Sequence, residues 1–143
     1  MSIRYEQDFY GWTLEQVNLL RSGRLDEVDL EHLIEEIESV GNSERHELES
    51  RLEVLLQHLL KWQFQPSRRG SSWRLTIQEQ RKRIIIRLRK SPSLKSSLDE
   101  IMTDAYDVAK TMAERETGLS ENMFSEQCPW TFEEVMNAEF LPD

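Results

Sequence analysis

Arg51, Leu55, His58 and Trp62 fall within one narrow sector at 3.6 residues per turn, which sets a guanidinium and an imidazole at the border of an apolar stripe. Polar groups placed there need partners. A preceding acidic segment can supply them through Glu36, which flanks the apolar positions Leu33 and Val40, or through Glu35 and Glu38 nearer its polar side. A Glu–His–Arg network of this kind could tune His58 as an acid or base, since a nearby carboxylate raises an imidazole pKa and burial lowers it. No nucleophile stands beside the histidine in the sequence, so the network reads first as a structural clamp between helices.

Three histidines, His32, His46 and His58, lie in a glutamate-rich region, and His32 with Glu36 has the i, i+4 spacing of two ligands on one face. The diagnostic patterns His-Glu-x-x-His and paired Glu-x-x-His are missing, and His46 and His58 stand about 120° apart around a helix, so no metal is expected. Phosphate loops, dinucleotide glycine fingerprints and a nucleophile elbow are missing too, and five glycines leave little to build them from. No cofactor is expected, and an enzyme is the less favoured reading.

The most distinctive stretch is basic. Residues 61–90 hold ten Lys or Arg against the single acid Glu79, while the whole chain carries −9. Arg68, Arg69, Arg74, Arg81, Lys82 and Arg87, interleaved with Trp73 and isoleucines, could neutralise phosphates and stack a base, giving salt-sensitive binding of RNA or DNA. Alternatively Trp73 belongs to the core and the arginines pair with acidic helices, within a subunit or between subunits. Leu75 and Ile86 lie nearly opposite the Trp73–Ile77–Ile84 stripe, a second small apolar strip suited to an oligomer contact. Cys128, the lone cysteine, precedes Pro129 and Trp130 and reads as a packed anchor of the tail.

These residues need scaffolding, and periodicity supplies it as helices. Tyr5, Phe9, Trp12, Gln16, Leu19 and Leu20 predict a first helix over about 5–22. Leu30, Leu33, Ile34, Ile37 and Val40, behind the N-cap Asp29 and before Gly41, predict a short second helix. A third runs from Ser43 to Pro66 on Leu48, Leu52, Leu55, Leu56, Leu59 and Leu60, and a fourth carries Trp73, Ile77, Ile84 and Leu88. Ser91-Pro92 opens a fifth, with Leu94, Leu98, Ile101, Ala105 and Met112 on one face, ending near Gly118. The tail, about 119–143, lacks clear periodicity until Thr131 and Glu134, a capping box for a final helical turn. The expectation is an all-α protein, one domain over residues 1–143, arranged as a bundle or orthogonal array of about five amphipathic helices with an irregular tail packed on it.

No apolar run reaches the roughly 18–20 residues that cross a bilayer, and the charged start does not resemble a signal peptide. A single cysteine forms no internal disulfide, which suits the cytoplasm.

Several separate words occur in order along nearly the whole chain: Asp8-Phe9-Tyr10-x-Trp12, then Asp29-Leu30-x-x-Leu33-Ile34-Glu35-Glu36-Ile37-Glu38, then Ser50-Arg51-Leu52. They continue as His58-Leu59-Leu60-Lys61-Trp62-Gln63-x-Gln65-Pro66, Ser72-Trp73-Arg74 with Ile77 and Gln80-Arg81, and Cys128-Pro129-Trp130-Thr131. In these words the chain resembles the bacterial family called domain of unknown function twenty-nine. The resemblance implies a small helical bacterial protein and brings no catalytic residue with it. Its words single out Glu35, Arg51, His58, Lys61, Trp62, Trp73 and Arg81, and so add Lys61 to the polar network. The leading expectation is a helical protein-interaction module, self-associating or paired with another protein, and the alternative is an RNA- or DNA-binding protein, a regulator or toxin-type nuclease, using the arginine-rich segment 68–90.

Overall fold

Asp8 stops the chain from being helical back to Tyr5: its side chain accepts from the Gly11 amide at 3.0 Å and caps α1, Phe9–Arg21. A computed structural model describes residues 3–143, and among them every regular element is helical, with no strand. The fold is all-α. Two compact units divide it, one reaching to Asn42 and the other covering Ser43–Asp143.

The second element corrects the expected pair of helices. Leu30–Phe64 is one continuous helix, α2, with Asp29 at its start, where the Leu33 amide donates to the Asp29 carbonyl at 2.9 Å. Gly41 does not end it, because its φ is not positive and Asn42 continues in the helix. A methyl group at Gly41 would meet nothing within 4 Å. A glycine inside a helix costs only about 1 kcal/mol against alanine, too little to break a helix that gains packing further along. Gly118, in contrast, has φ 77° and ends its helix as expected.

The second unit holds the hydrophobic core. The C-terminal part of α2 contributes Leu48, Leu52, Leu55, Leu56, Leu59 and Leu60, all fully buried, and stops before Pro66. Against these pack Ile77, Ile84 and Leu88 of α3, Ser71–Lys90, and Ile101, Ala105, Tyr106 and Ala109 of α4, Leu98–Thr117. Pro92 does not begin α4 but a 3-10 segment, Pro92–Ser97, that leads into it. The tail is ordered around three side chains that enter the core, Phe124, Trp130 and Val135. Thr131 and Glu134 form the predicted capping box of α5, Phe132–Met136, with reciprocal bonds of 3.1 and 3.0 Å.

In the first unit the apolar pattern is used differently from the expectation. Trp12, Gln16 and Leu19 of α1 are buried, and the chain turns at Asp29, whose carboxylate takes the Trp12 indole N–H at 3.0 Å while its amide donates to Gln16 at 2.7 Å. The aliphatic stripe of α2, expected to be core, faces outward: Leu30, Ile34, Ile37 and Val40 are 64%, 47%, 69% and 64% exposed. Periodicity marks an apolar face without saying what covers it.

Candidate functional site

The residues expected to form one polar network are held by separate partners. That network needed a turn at Gly41 to fold Glu35 and Glu36 back, and Gly41 is helical. Glu36 accepts instead from the Tyr5 hydroxyl in the first unit, and this bond lifts the Tyr5 pKa to about 12. In the second unit Arg51 pairs with Glu47, one turn earlier on its own helix, at 3.0 Å. His58 contacts the Val54 carbonyl through Nδ1 at 2.8 Å, which fixes the proton on that nitrogen. Burial lowers the His58 pKa, outweighing the carbonyl contact that raises it.

Lys61 is the buried member. Its ammonium lies 2.5 Å from the Glu116 carboxylate of α4 and 4.7 Å from the centre of the Trp73 ring on α3, so one cation ties three helices together. The Lys61 hydrogen bond lowers the Glu116 pKa against the opposing effect of desolvation. Trp73 is therefore half-buried beneath a lysine and does not form part of the central core.

The basic segment splits in two. Arg81 is 6% exposed, and its Nε donates to the Val135 carbonyl at 2.8 Å while Nη2 donates to the Phe140 carbonyl at 2.7 Å. It clamps the tail to α3 and is unavailable to a phosphate. Arg69 donates to the Trp62 carbonyl at 2.7 Å and lies over the Trp62 ring, and Arg87 reaches Glu44 at 2.5 Å and Glu47 at 3.9 Å. The acidic side of α2 thus meets basic α3 inside the second unit. Arg68, Arg74 and Lys82 are exposed, as are Arg89 and Lys90, and none of the five enters an ion pair among the described residues. Leu75 and Ile86 stand exposed near them, at 58% and 44%.

Two arrangements were not read from the sequence. A cluster in the first unit stacks Tyr5 on His32 at 4.1 Å and sets Trp12 edge-on to Tyr5 at 4.8 Å. His32 Nδ1 lies 2.7 Å from the Asp29 carboxylate and Nε2 lies 3.4 Å from Glu6, so neither ring nitrogen is paired with Glu36, which reaches the cluster through Tyr5. The Asp29 contact raises the His32 pKa and, reciprocally, lowers that of Asp29. The signal was present in the words around Trp12 and Asp29, but a histidine three residues from an N-cap aspartate is not distinctive. The second arrangement is a groove of about 1000 Å³ between α4 and the tail, where Met102, Tyr106, Trp130 and Phe132 meet Asp99 and Lys110. Cys128 lies at its side, half-buried, with its thiol pKa raised first by burial and further by Glu134. A thiol whose pKa is raised by burial is a poor nucleophile, so Cys128 brings no activated nucleophile to the groove.

A family model for a domain of unknown function, DUF29, matches residues 4–141. The chain belongs to the DUF29 family. The match runs through both units, so the exposed stripe of α2 and the Lys61 and Arg81 contacts all lie within the DUF29 domain. No curated protein and no solved structure matches the chain. No helix among its described residues is long and apolar enough to cross a membrane.

Proposed function

We propose that this chain is a protein-interaction module whose contact surface is the outward face of α2 in the first unit. The carrying observation is the line Leu30, Ile34, Ile37 and Val40, four large aliphatic side chains roughly half to two-thirds exposed in one sector of about 120°. Tyr10, Leu14, Val17 and Leu20 repeat the same spacing on α1 and are exposed as well. Scattered exposed apolar residues are ordinary, but rows of them at helical spacing mark a surface that another helix covers. The two buried cations, Lys61 and Arg81, are each occupied in holding helices or the tail together. The setting we assign is the cytoplasm, in keeping with a lone cysteine that forms no internal disulfide.

The size of the native complex tests this reading. In lysate of producing cells the wild-type chain should elute well ahead of a monomer, and an Ile34→Asp, Ile37→Asp double variant should elute as a monomer with unchanged circular dichroism. A wild-type chain that elutes as a monomer would remove the reading.

A second reading has its own observation, the exposed cations Arg68, Arg74, Lys82, Arg89 and Lys90, which enter no ion pair among the described residues. They suit weak, salt-sensitive contact with RNA or DNA. Mixed-sequence RNA showing no anisotropy change at about 50 mM salt would dismiss it.

A further inference from the structure

We infer that the α2 surface of the first unit receives a basic amphipathic helix of another protein, an inference that rests on the interaction reading above. Leu30, Ile34 and Ile37 are spaced by four and three residues, the spacing of an apolar seam that a second helix follows alongside. Leu30 to Val40 spans ten residues of helix, about 15 Å at 1.5 Å per residue, or roughly three turns of contact. What selects the occupant is charge. Glu31, Glu35 and Glu38 project along one edge of that seam, all exposed, and none has a cationic partner among the described residues.

The surrounding unit extends the same field. Up to Asn42 the chain holds three arginines against ten carboxylates. Within the unit Arg24 pairs with Glu27, away from the seam. A second copy presenting the same face would bring its own Glu31, Glu35 and Glu38 into this acidic edge, and like charges flanking a helical seam oppose pairing. A helix with Leu, Ile or Val at i, i+3, i+4 and i+7 and Lys or Arg beside them satisfies both features: its apolar row covers Ile34 and Ile37, and its cations meet the glutamates.

The full-length protein tests this with two synthetic probes, a fluorescein-labelled Leu/Lys amphipathic helix of about 18 residues and the same pattern with Glu for every Lys. The Leu/Lys peptide should raise anisotropy saturably, weaken several-fold between about 50 and 200 mM salt, and bind at least about tenfold more tightly than the Leu/Glu peptide. The Ile34→Asp, Ile37→Asp variant adds two negative charges to the same face, so unspecific attraction of a cationic peptide to an acidic chain would tighten. Loss of about tenfold or more in affinity instead supports a seated helix.

A Glu31→Lys, Glu35→Lys, Glu38→Lys variant, all at exposed positions where substitutions usually cost little, should reverse the preference toward the Leu/Glu peptide, with circular dichroism unchanged. Equal binding of both peptides to the wild type, lost in the double variant, would overturn the basic partner while leaving the interaction surface standing. Binding of neither peptide would remove both the partner and the surface.

Discussion

Replacing Gly41 by alanine tests whether α2 is one helix. The continuity of α2 decides how the sequence from Leu30 to Val40 is presented, and the sequence by itself suggested a stop there. In the structure Gly41 is helical, lacks positive φ, and has open space where a Cβ would project. With no clash and no lost contact, the substitution should express the intrinsic helix preference of Ala over Gly, about 0.5–1 kcal/mol. We therefore expect Gly41→Ala to stabilise the chain by about 0.5–1 kcal/mol, or about 2–3 °C in midpoint, with slower hydrogen exchange at residues 39–45. Gly118→Ala is the internal contrast: its φ of 77° is costly for any residue with a Cβ, so that variant should lose about 1 kcal/mol. Urea unfolding followed by far-ultraviolet circular dichroism separates the signs. A Gly41→Ala variant destabilised by about 1 kcal/mol, like Gly118→Ala, would mean that Gly41 ends a helix and would refute the continuous α2.

Arg81→Met should strip the Val135 and Phe140 carbonyls of a charged donor, at about 1.5–3 kcal/mol per bond less the relieved burial of the charge, and should release the tail to proteolysis between residues 125 and 143, while Arg74→Met does neither. Glu116→Ala should cost about 1–2 kcal/mol by leaving the buried Lys61 ammonium with only the Trp73 face, and an unchanged melting temperature would contradict that pairing. The two perturbed histidines should titrate on opposite sides of 6.5 by NMR. The raised His32 contributes stability below pH 6.5 that fades as pH rises through its folded value, and the depressed His58 contributes stability above pH 6.5 that is lost as pH falls through its own. Cys128 should react with a thiol reagent in the native protein far more slowly than in urea, and equal rates would contradict its burial.

Much of the fold was legible because long periodic segments with capping residues are strong local signals. Asp29, Gly118 and the Thr131–Glu134 box act at the ends the sequence assigned to them. Gly41 misled because a glycine after an apolar run is a good stop signal only when something else requires a turn, and nothing does. The Leu30–Val40 stripe misled in the same way, since apolar spacing predicts burial and is silent about whether the chain itself supplies the cover. At the candidate site, Lys61 was selected by resemblance alone, and its partner Glu116 lies 55 positions away. From the sequence Arg81 is equally a candidate phosphate contact and a partner of acidic helices, and neither applies, because its partners are backbone carbonyls, which leave no mark in a sequence. Arg87 with Glu44 is the instance in which charge asymmetry did anticipate contact between acidic α2 and basic α3.

The most direct measurement is photo-cross-linking in the producing cell, with a photoreactive amino acid at Ile37 and, as a control, at the exposed Asp104 of α4. A discrete light-dependent adduct is expected from position 37, containing one protein whose cross-linked peptide is helical, apolar on one face and rich in Lys or Arg, and no such adduct from position 104. An absence of adducts at position 37, or the same diffuse products from both positions, would contradict the α2 contact surface.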